Sequence, residues 1–230
     1  MSVEMTKPFN LNPAILLLAA GQSRRFNGVK QLSLVATSNG KTPLLQAKIN
    51  TLVQLNLPLF AAIRDDIKLA NFTPIKLNGS PKLTWITPQN SRLGMGHTIA
   101  DSVDILLKQL PNCSHIVITL CDQVALDTAA YQSLVRLSAQ QPEKIICCET
   151  QDGLSVPAVF PKAWFSQLKQ LTGDKGAKHI LNNAGDQRQT ILLNQAIIDI
   201  DTKQELEDWN KAQTNQFTKE CNALTGEKAC

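Results

Sequence analysis

Residues 14–20 read Ala-Ile-Leu-Leu-Leu-Ala-Ala and stop at Gly21. A strand of that composition has no polar face to turn toward water. Both of its faces must therefore be covered, as in a parallel sheet flanked by helices. The run is also far too short to span a bilayer. Apolar segments at 57–63, 83–86, 115–120, 144–148 and 190–193 predict further strands. Between them the apolar spacing turns helical. Residues 42–55 set Leu44, Leu45, Ala47, Ile49, Leu52 and Val53 at helical intervals behind a Thr-Pro start. Residues 97–110 carry Ile99, Val103, Leu106, Leu107 and Leu110 on one stripe, which Pro111 ends. Residues 127–139 repeat the pattern, with Asp127 as the expected N-cap.

Strands alternating with helices imply βαβ units and an α/β fold: one domain with a mostly parallel central sheet and helices on both faces. The second half predicts a hairpin at Asp152-Gly153, helices at 162–171 and 177–182, a last strand at 197–200 and a last helix at 203–211. A chain of 230 residues suits one domain at 14–213, with an N-terminal extension at 1–13 and an aperiodic tail at 214–230 that is expected to fray.

Composition narrows the partners. Net charge is +4 with Lys and Arg scattered, and aromatics are only 5%. Neither a stacking surface for nucleic acid nor a membrane-surface helix fits that balance, whereas a phosphate-rich small ligand does. Six cysteines show no CxxC pair and no zinc spacing. Reduced thiols in a cytoplasmic protein are therefore expected, without a secretory leader in residues 1–13.

In open α/β sheets ligands bind beyond the carboxyl ends of the strands. The first such turn runs from Ala19, Ala20 and Gly21 through Ser23, Arg25, Phe26 and Asn27 to Lys30. It matches neither GxGxxG nor GxxxxGK[ST]. The small residues Ala19, Ala20 and Gly21 let a ligand lie on the backbone, and Arg25 and Lys30 can reach triphosphate oxygens. On composition alone the same loop reads as a surface turn with two solvated cations.

As a whole, Leu-Ala-Ala-Gly-x-Ser-x-Arg-Phe followed by Lys30 resembles the signature of nucleotidyltransferases with a glycosyltransferase-A-like, Rossmann-like fold. Within that group it is most similar to the molybdenum cofactor cytidylyltransferases. The resemblance implies that the loop holds a nucleoside triphosphate whose phosphates Arg25 and Lys30 neutralise. Asn27 stands where the family usually has Gly, and Asn best tolerates a left-handed backbone after Gly. Ala20 stands where guanylyl-transferring relatives carry Gly, which leans the expectation toward CTP over GTP.

Four later segments fit the same resemblance. Asn90, Gly94 and Thr98 fall in a segment similar to the family's Asn…Gly-Met-x-x-Ser, which approaches base and ribose. Leu120-Cys121-Asp122-Gln123 resembles Leu-x-Asp-Gln-Pro, with Val124 in place of the Pro, and implies Asp122 as a ligand of Mg²⁺ or Mn²⁺. Residues 173–178 look like the family's Gly-Asp-x-Gly-Ala-Arg turn, read as a structural element that helps to shape the site. Residues 198–202 resemble Asp-Ile-Asp-Thr; Asp201 is then either a second carboxylate on the metal or the cap of the next helix, and as a strand Asp199 and Asp201 would share a face. The acceptor side, residues 153–160, matches less well, because Ser155 and Val156 replace polar or Gly residues before the Pro.

The resemblance implies CMP transfer from CTP to the terminal phosphate of molybdopterin or molybdenum cofactor, with Mg²⁺ or Mn²⁺ as cofactor and a molybdoenzyme client or its maturation factor as a further partner. An ionised phosphate needs no general base, which agrees with the lack of a Ser–His or His–carboxylate constellation. Other readings are nucleotidyl transfer to a different phosphorylated small molecule, or a non-catalytic carrier that holds a pterin cofactor.

Overall fold

The computed structural model describes residues 11–38, 40–67, 72 and 83–225. The apolar run forms strand β1 (Pro13–Ala19) at the middle of a seven-stranded sheet. Its neighbours are β4 (Leu59–Ile63) and β6 (His115–Leu120), both parallel to it. Beyond β4 lies β5 (Leu83–Ile86); beyond β6 come β8 (Gly153–Pro161), β7 (Ile145–Thr150) and β9 (Arg188–Leu192). The order is β5-β4-β1-β6-β8-β7-β9, and β8 alone runs against its neighbours. The predicted hairpin is the β7–β8 turn, where Thr150 pairs with Gly153.

Alternation along β1 divides the core. Ile15, Leu17 and Ala19 face one layer, built with α1 (Leu44–Val53), α3 (Thr128–Gln140) and the start of α6 (Lys203–Thr225). Ala14, Leu16 and Leu18 face the other, built with α2 (Met95–Gln109), α4 (Phe165–Lys169) and α5 (Lys178–Asn183). With both faces covered, an unbroken apolar sequence is what the centre of the sheet demands. Asp127 caps α3 by accepting from the Ala130 N–H at 2.9 Å. Cys113, Cys121, Cys147 and Cys148 are free and buried.

Three segments depart from expectation. Thr42 and Pro43 do not open a helix; they end β3 (Gly40–Pro43), which pairs with β2 (Leu34–Thr37) in a small hairpin absent from the sequence reading. Pro43 has extended ψ (137°), and α1 begins one residue later. The predicted strand at 197–200 is not one. A 3₁₀ turn (Asn194–Ile197) leads into irregular chain, and the Ile200 N–H donates to the Asp122 carbonyl at 3.2 Å. The segment thus crosses the end of β6 instead of joining the sheet. The last helix does not stop near residue 211 or fray at Thr214, but continues to Thr225.

That helix is held to the rest by polar contacts. The Asn210 amide mimics a strand partner for β2: it accepts from the Ala36 N–H at 2.6 Å and donates to the Leu34 carbonyl at 3.0 Å. Leu206 and Trp209 cover the core beside it.

The 172–176 turn lies backbone against backbone on the start of α2. The Gly96 N–H donates to the Gly173 carbonyl at 2.7 Å. A Cβ at Gly96 would sit 2.5 Å from the Thr172 carbonyl oxygen, which cannot rotate away. Gly96→Ala gains up to about 1 kcal/mol of helix propensity, but overpacking against backbone costs about 1–3 kcal/mol. The expected net result is destabilisation with an unchanged denaturant slope in urea unfolding; equal or greater stability would show that the turn gives way.

Candidate active site

The carboxyl ends of β1 and β6 open into a cleft of about 610 Å³. Its floor is the turn after β1. Phe26 is buried and anchors the turn, while Ser23 and Asn27 both adopt φ near +51°. Asn27 thus takes the left-handed conformation expected of it. A 3₁₀ turn (Lys30–Leu32) then carries Lys30 and Gln31 back under the loop.

Lys30 is 5% exposed. Its ammonium donates to Asp122 Oδ2 at 2.7 Å and to Asp201 Oδ1 at 3.0 Å. Burial on its own would lower its pKa, but the attraction of Asp122 and the bonds to Asp122 and Asp201 outweigh that and hold it above the usual lysine value. A raised pKa means that the contribution of this ion pair to stability is complete below 10.5 and is lost only above it. The exposed Arg25 guanidinium donates to Asp201 Oδ2. Two carboxylates and two cations therefore neutralise one another across a sequence separation of more than 170 residues.

Asp201 is free to do this because other residues cap α6. Thr202 and Glu205 form a capping box: the Thr202 N–H donates to Glu205 Oε2 at 2.8 Å, and the Glu205 N–H donates to Thr202 Oγ1 at 3.2 Å. The cap alternative for Asp201 is thereby corrected. Asp199 does not act with it as a strand neighbour. Burial first, then Asp201 and Asp122, push its carboxyl above the ordinary range.

Ala19, Ala20, Gly21, Ser23, Arg25, Lys30, Gly94, Thr98, Asp122 and Asp201 all line the cleft. Thr98 donates to the Gly94 carbonyl at 3.0 Å, so its hydroxyl braces the start of α2. Asn90 is not among the lining residues. Its backbone N–H and side-chain amide both donate to Asp101, at 2.8 and 3.1 Å, which turns it onto the outer side of α2.

Sequence reading missed Gln31, which is 1% exposed. Its amide donates to the Ala19 carbonyl at 2.7 Å and the Gly21 carbonyl at 3.2 Å, fixing the peptide planes of the ligand-facing turn. A Gln next to Lys30 carries no sequence signal for that role, because its partners are backbone. The 173–176 turn, expected to help shape the site, does so through Asp174, which lines the cleft. Arg24 and Arg92 line it too, linked through Gln22, which accepts from Arg24 Nε at 3.0 Å and donates to the Arg92 carbonyl at 3.3 Å.

Three lining residues hold a buried polar atom without a partner: Ser23 Oγ, Gln31 Oε1 and Asp122 Oδ1. Such atoms are costly unless something polar enters. Asp122 Oδ1 is a hard oxygen donor beside a second carboxylate, which fits a divalent cation. Among the described residues no group of three or more His, Cys, Asp or Glu side chains converges on a metal position. Asp122 and Asp201 are the two carboxylates here that would hold such an ion.

This strand order, with its cleft at the ends of β1 and β6, is the α/β Rossmann-like nucleotidyltransferase fold of the glycosyltransferase-A type. The chain belongs to the MobA-like NTP transferase domain family, whose model matches residues 15–190. That places it in an enzymatic nucleotidyltransferase superfamily. No curated protein matches the sequence. Among solved structures it is similar to Rv0371c from Mycobacterium tuberculosis H37Rv, at 19% identity, over 87% of this chain and 98% of that one, with a TM-score of 0.66. A complex of that protein with manganese gives 18%, 87%, 99% and 0.62 in the same terms. The 4-diphosphocytidyl-2C-methyl-D-erythritol synthase of Anaerococcus prevotii DSM 20548 gives 10%, 89%, 96% and 0.65. At these identities the likeness is one of fold. Among the described residues no helix is long and apolar enough to cross a membrane.

The role of Gln31 can be read without any ligand. Gln31→Leu strips the Ala19 carbonyl of its partner at nearly constant volume, and is expected to cost about 1–3 kcal/mol in urea unfolding. Gln22→Leu, on an exposed side chain, is expected to stay within about 0.5 kcal/mol of wild type. Equal effects would mean that the clamp is idle.

Proposed function

We propose that the chain is a divalent-metal-dependent nucleotidyltransferase that transfers CMP from CTP to the terminal phosphate of molybdopterin or its molybdenum form. The observation that carries this reading is the Lys30–Asp122–Asp201 contact, with Asp122 Oδ1 left unpaired beside it. An acceptor phosphate oxygen bonds to the α-phosphorus, the bond to the bridging oxygen breaks, and pyrophosphate leaves with that electron pair. A phosphate nucleophile is already ionised at neutral pH, so no side chain has to take a proton.

Phosphoryl-type transfer asks the protein for alignment and charge neutralisation. Asp122 and Asp201 would hold the metal, Mg²⁺ or Mn²⁺, which supplies Lewis-acid stabilisation of the phosphate oxygens. Lys30 and Arg25 lie on those same carboxylates in the free chain. With a metal-bound triphosphate in the cleft, the two cations would be available to phosphate oxygens in place of the carboxylates. They then face the charge that grows on the leaving pyrophosphate. The manganese complex of Rv0371c supports the metal, and the cytidyl group in the name of the A. prevotii enzyme supports the base. Ala20, 2% exposed in the cleft, supports CTP over GTP through the resemblance described above.

Transfer to a different phosphorylated small molecule is the second reading. Ser155 and Val156 favour it, since they stand where the resembling family carries polar or Gly residues before the Pro on the acceptor side.

Pyrophosphate release with CTP, Mg²⁺ and molybdenum cofactor is expected, and Asp122→Ala is expected to lose roughly a hundredfold or more of it. Release with GTP alone would overturn the base. Release only with another phosphorylated acceptor would establish the second reading, and no release from folded protein with any acceptor would refute transferase activity.

A further inference from the structure

Lys48 is a buried cation that the proposed chemistry does not use. It lies in the middle of α1 and is 3% exposed. Its ammonium donates to the Gln123 carbonyl at 2.7 Å, the Leu126 carbonyl at 3.2 Å and the Tyr131 hydroxyl at 3.1 Å. All three donors of the ammonium are spent, and every acceptor belongs to the chain that follows Asp122. Among the described residues no carboxylate pairs with it; three dipoles and the face of the Tyr131 ring, 5.2 Å away, hold the group. Burial pushes its pKa down to about 8, against the opposing pull of Cys121, Asp122 and Asp127. The ammonium form still predominates at neutral pH.

A buried charge without a carboxylate partner is an expensive way to fasten a loop, since its desolvation must be offset by hydrogen bonds. The position of the fastening explains the expense. The peptide whose carbonyl Lys48 grips belongs to Gln123, the residue after Asp122. On its other side the Gln123 amide donates to the Val156 carbonyl at 2.7 Å and the Ala196 carbonyl at 3.0 Å. Ala196 precedes the segment that brings Asp201 to the cleft, and the Ile200 N–H donates to the Asp122 carbonyl at 3.2 Å. The Tyr131 hydroxyl closes the network on Thr119 Oγ1, at 2.8 Å, in the strand that leads to Asp122. One set of bonds thus ties α1, the end of β6, β8 and the Asp201 segment together.

We infer that Lys48 is a positioning residue that, by clamping the backbone after Asp122 from below, sets the separation of the Asp122 and Asp201 carboxylates and so the affinity of the site for a metal-bound nucleotide. The inference rests on the nucleotidyltransferase reading above. A merely structural lysine would lower stability and leave the site's preference for metal-bound over metal-free nucleotide untouched. A positioning residue changes that preference.

The test is equilibrium dialysis of labelled CTP with the full chain, once with excess Mn²⁺ and once with a chelator. Lys48→Met is expected to weaken binding of the Mn²⁺–CTP complex at least tenfold while metal-free CTP binds as it does to wild type. Tyr131→Phe, which removes one of the three acceptors of Lys48 together with the link to Thr119, is expected to weaken Mn²⁺–CTP by about threefold and keeps the test decisive if Lys48→Met fails to fold. Leu168→Ala, a core change in the opposite layer, is expected to lower the melting temperature and leave both affinities alone. The inference is overturned if the Lys48 and Tyr131 variants bind Mn²⁺–CTP like wild type, or if Leu168→Ala shows the same selective loss. A wild-type chain that binds CTP equally with and without metal would refute the metal-dependent reading itself, and the inference with it.

Discussion

The arrangement of the site depends on one buried ammonium placed between two carboxylates. Lys30 is nearly inaccessible, and a lysine there without partners would be driven toward its neutral form. Asp122 and Asp201 prevent that. In the same contact Lys30 prevents the two carboxylates from facing each other unscreened. Each charge is tolerable only because the other two are present. The segments that carry them are consequently fixed relative to one another, although they lie far apart in sequence.

The sheet makes such a contact possible. Parallel strands all end on the same side, so the turns after β1 and β6 meet at one edge. Small residues at Ala19, Ala20 and Gly21 keep that edge open, and Gln31 pins it from below. On the far side, the 172–176 turn presses so closely on α2 that only Gly fits at Gly96. Asp174 reaches the cleft as a result. The groups that fix the backbone here are mostly buried polar side chains bonded to carbonyls: Gln31, Lys48 and Gln123. Polar clamps of this kind hold a loop in one geometry while leaving its ligand-facing surface bare.

Much of this was legible in the chain. An apolar run as unbroken as residues 14–20 has few other places to go, and Arg25, Lys30 and Asp122 sit at strand ends where chemistry is expected. The errors have physical causes. Residues 197–200 have β-branched composition, but their N–H groups are satisfied by a 3₁₀ turn and by the Asp122 carbonyl, which local propensity cannot register. The Thr202–Glu205 capping box is written in the sequence as Thr-x-x-Glu and leaves Asp201 out of the helix cap. Asn90 was displaced by Asp101, eleven residues away on the next helix. Gln31 and Lys48 act through backbone carbonyls, and a carbonyl has no letter in a sequence. α6 runs past Thr214 despite its low apolar content, because helix-forming Gln, Lys and Glu supply propensity where amphipathic pattern is weak.

In the free chain Lys30 bonds one oxygen of each carboxylate, Asp122 Oδ2 and Asp201 Oδ1, and so competes with the metal proposed for that pair. The most direct test of that claim is a titration of Mn²⁺ alone, followed by its EPR signal, into the wild-type chain and into folded Lys30→Met. With the competing ammonium gone, the variant is expected to bind Mn²⁺ at least tenfold more tightly than wild type. Unchanged or weaker binding would contradict the account, because it would mean that Asp122 and Asp201 are a structural ion-pair site and not a metal site held in reserve.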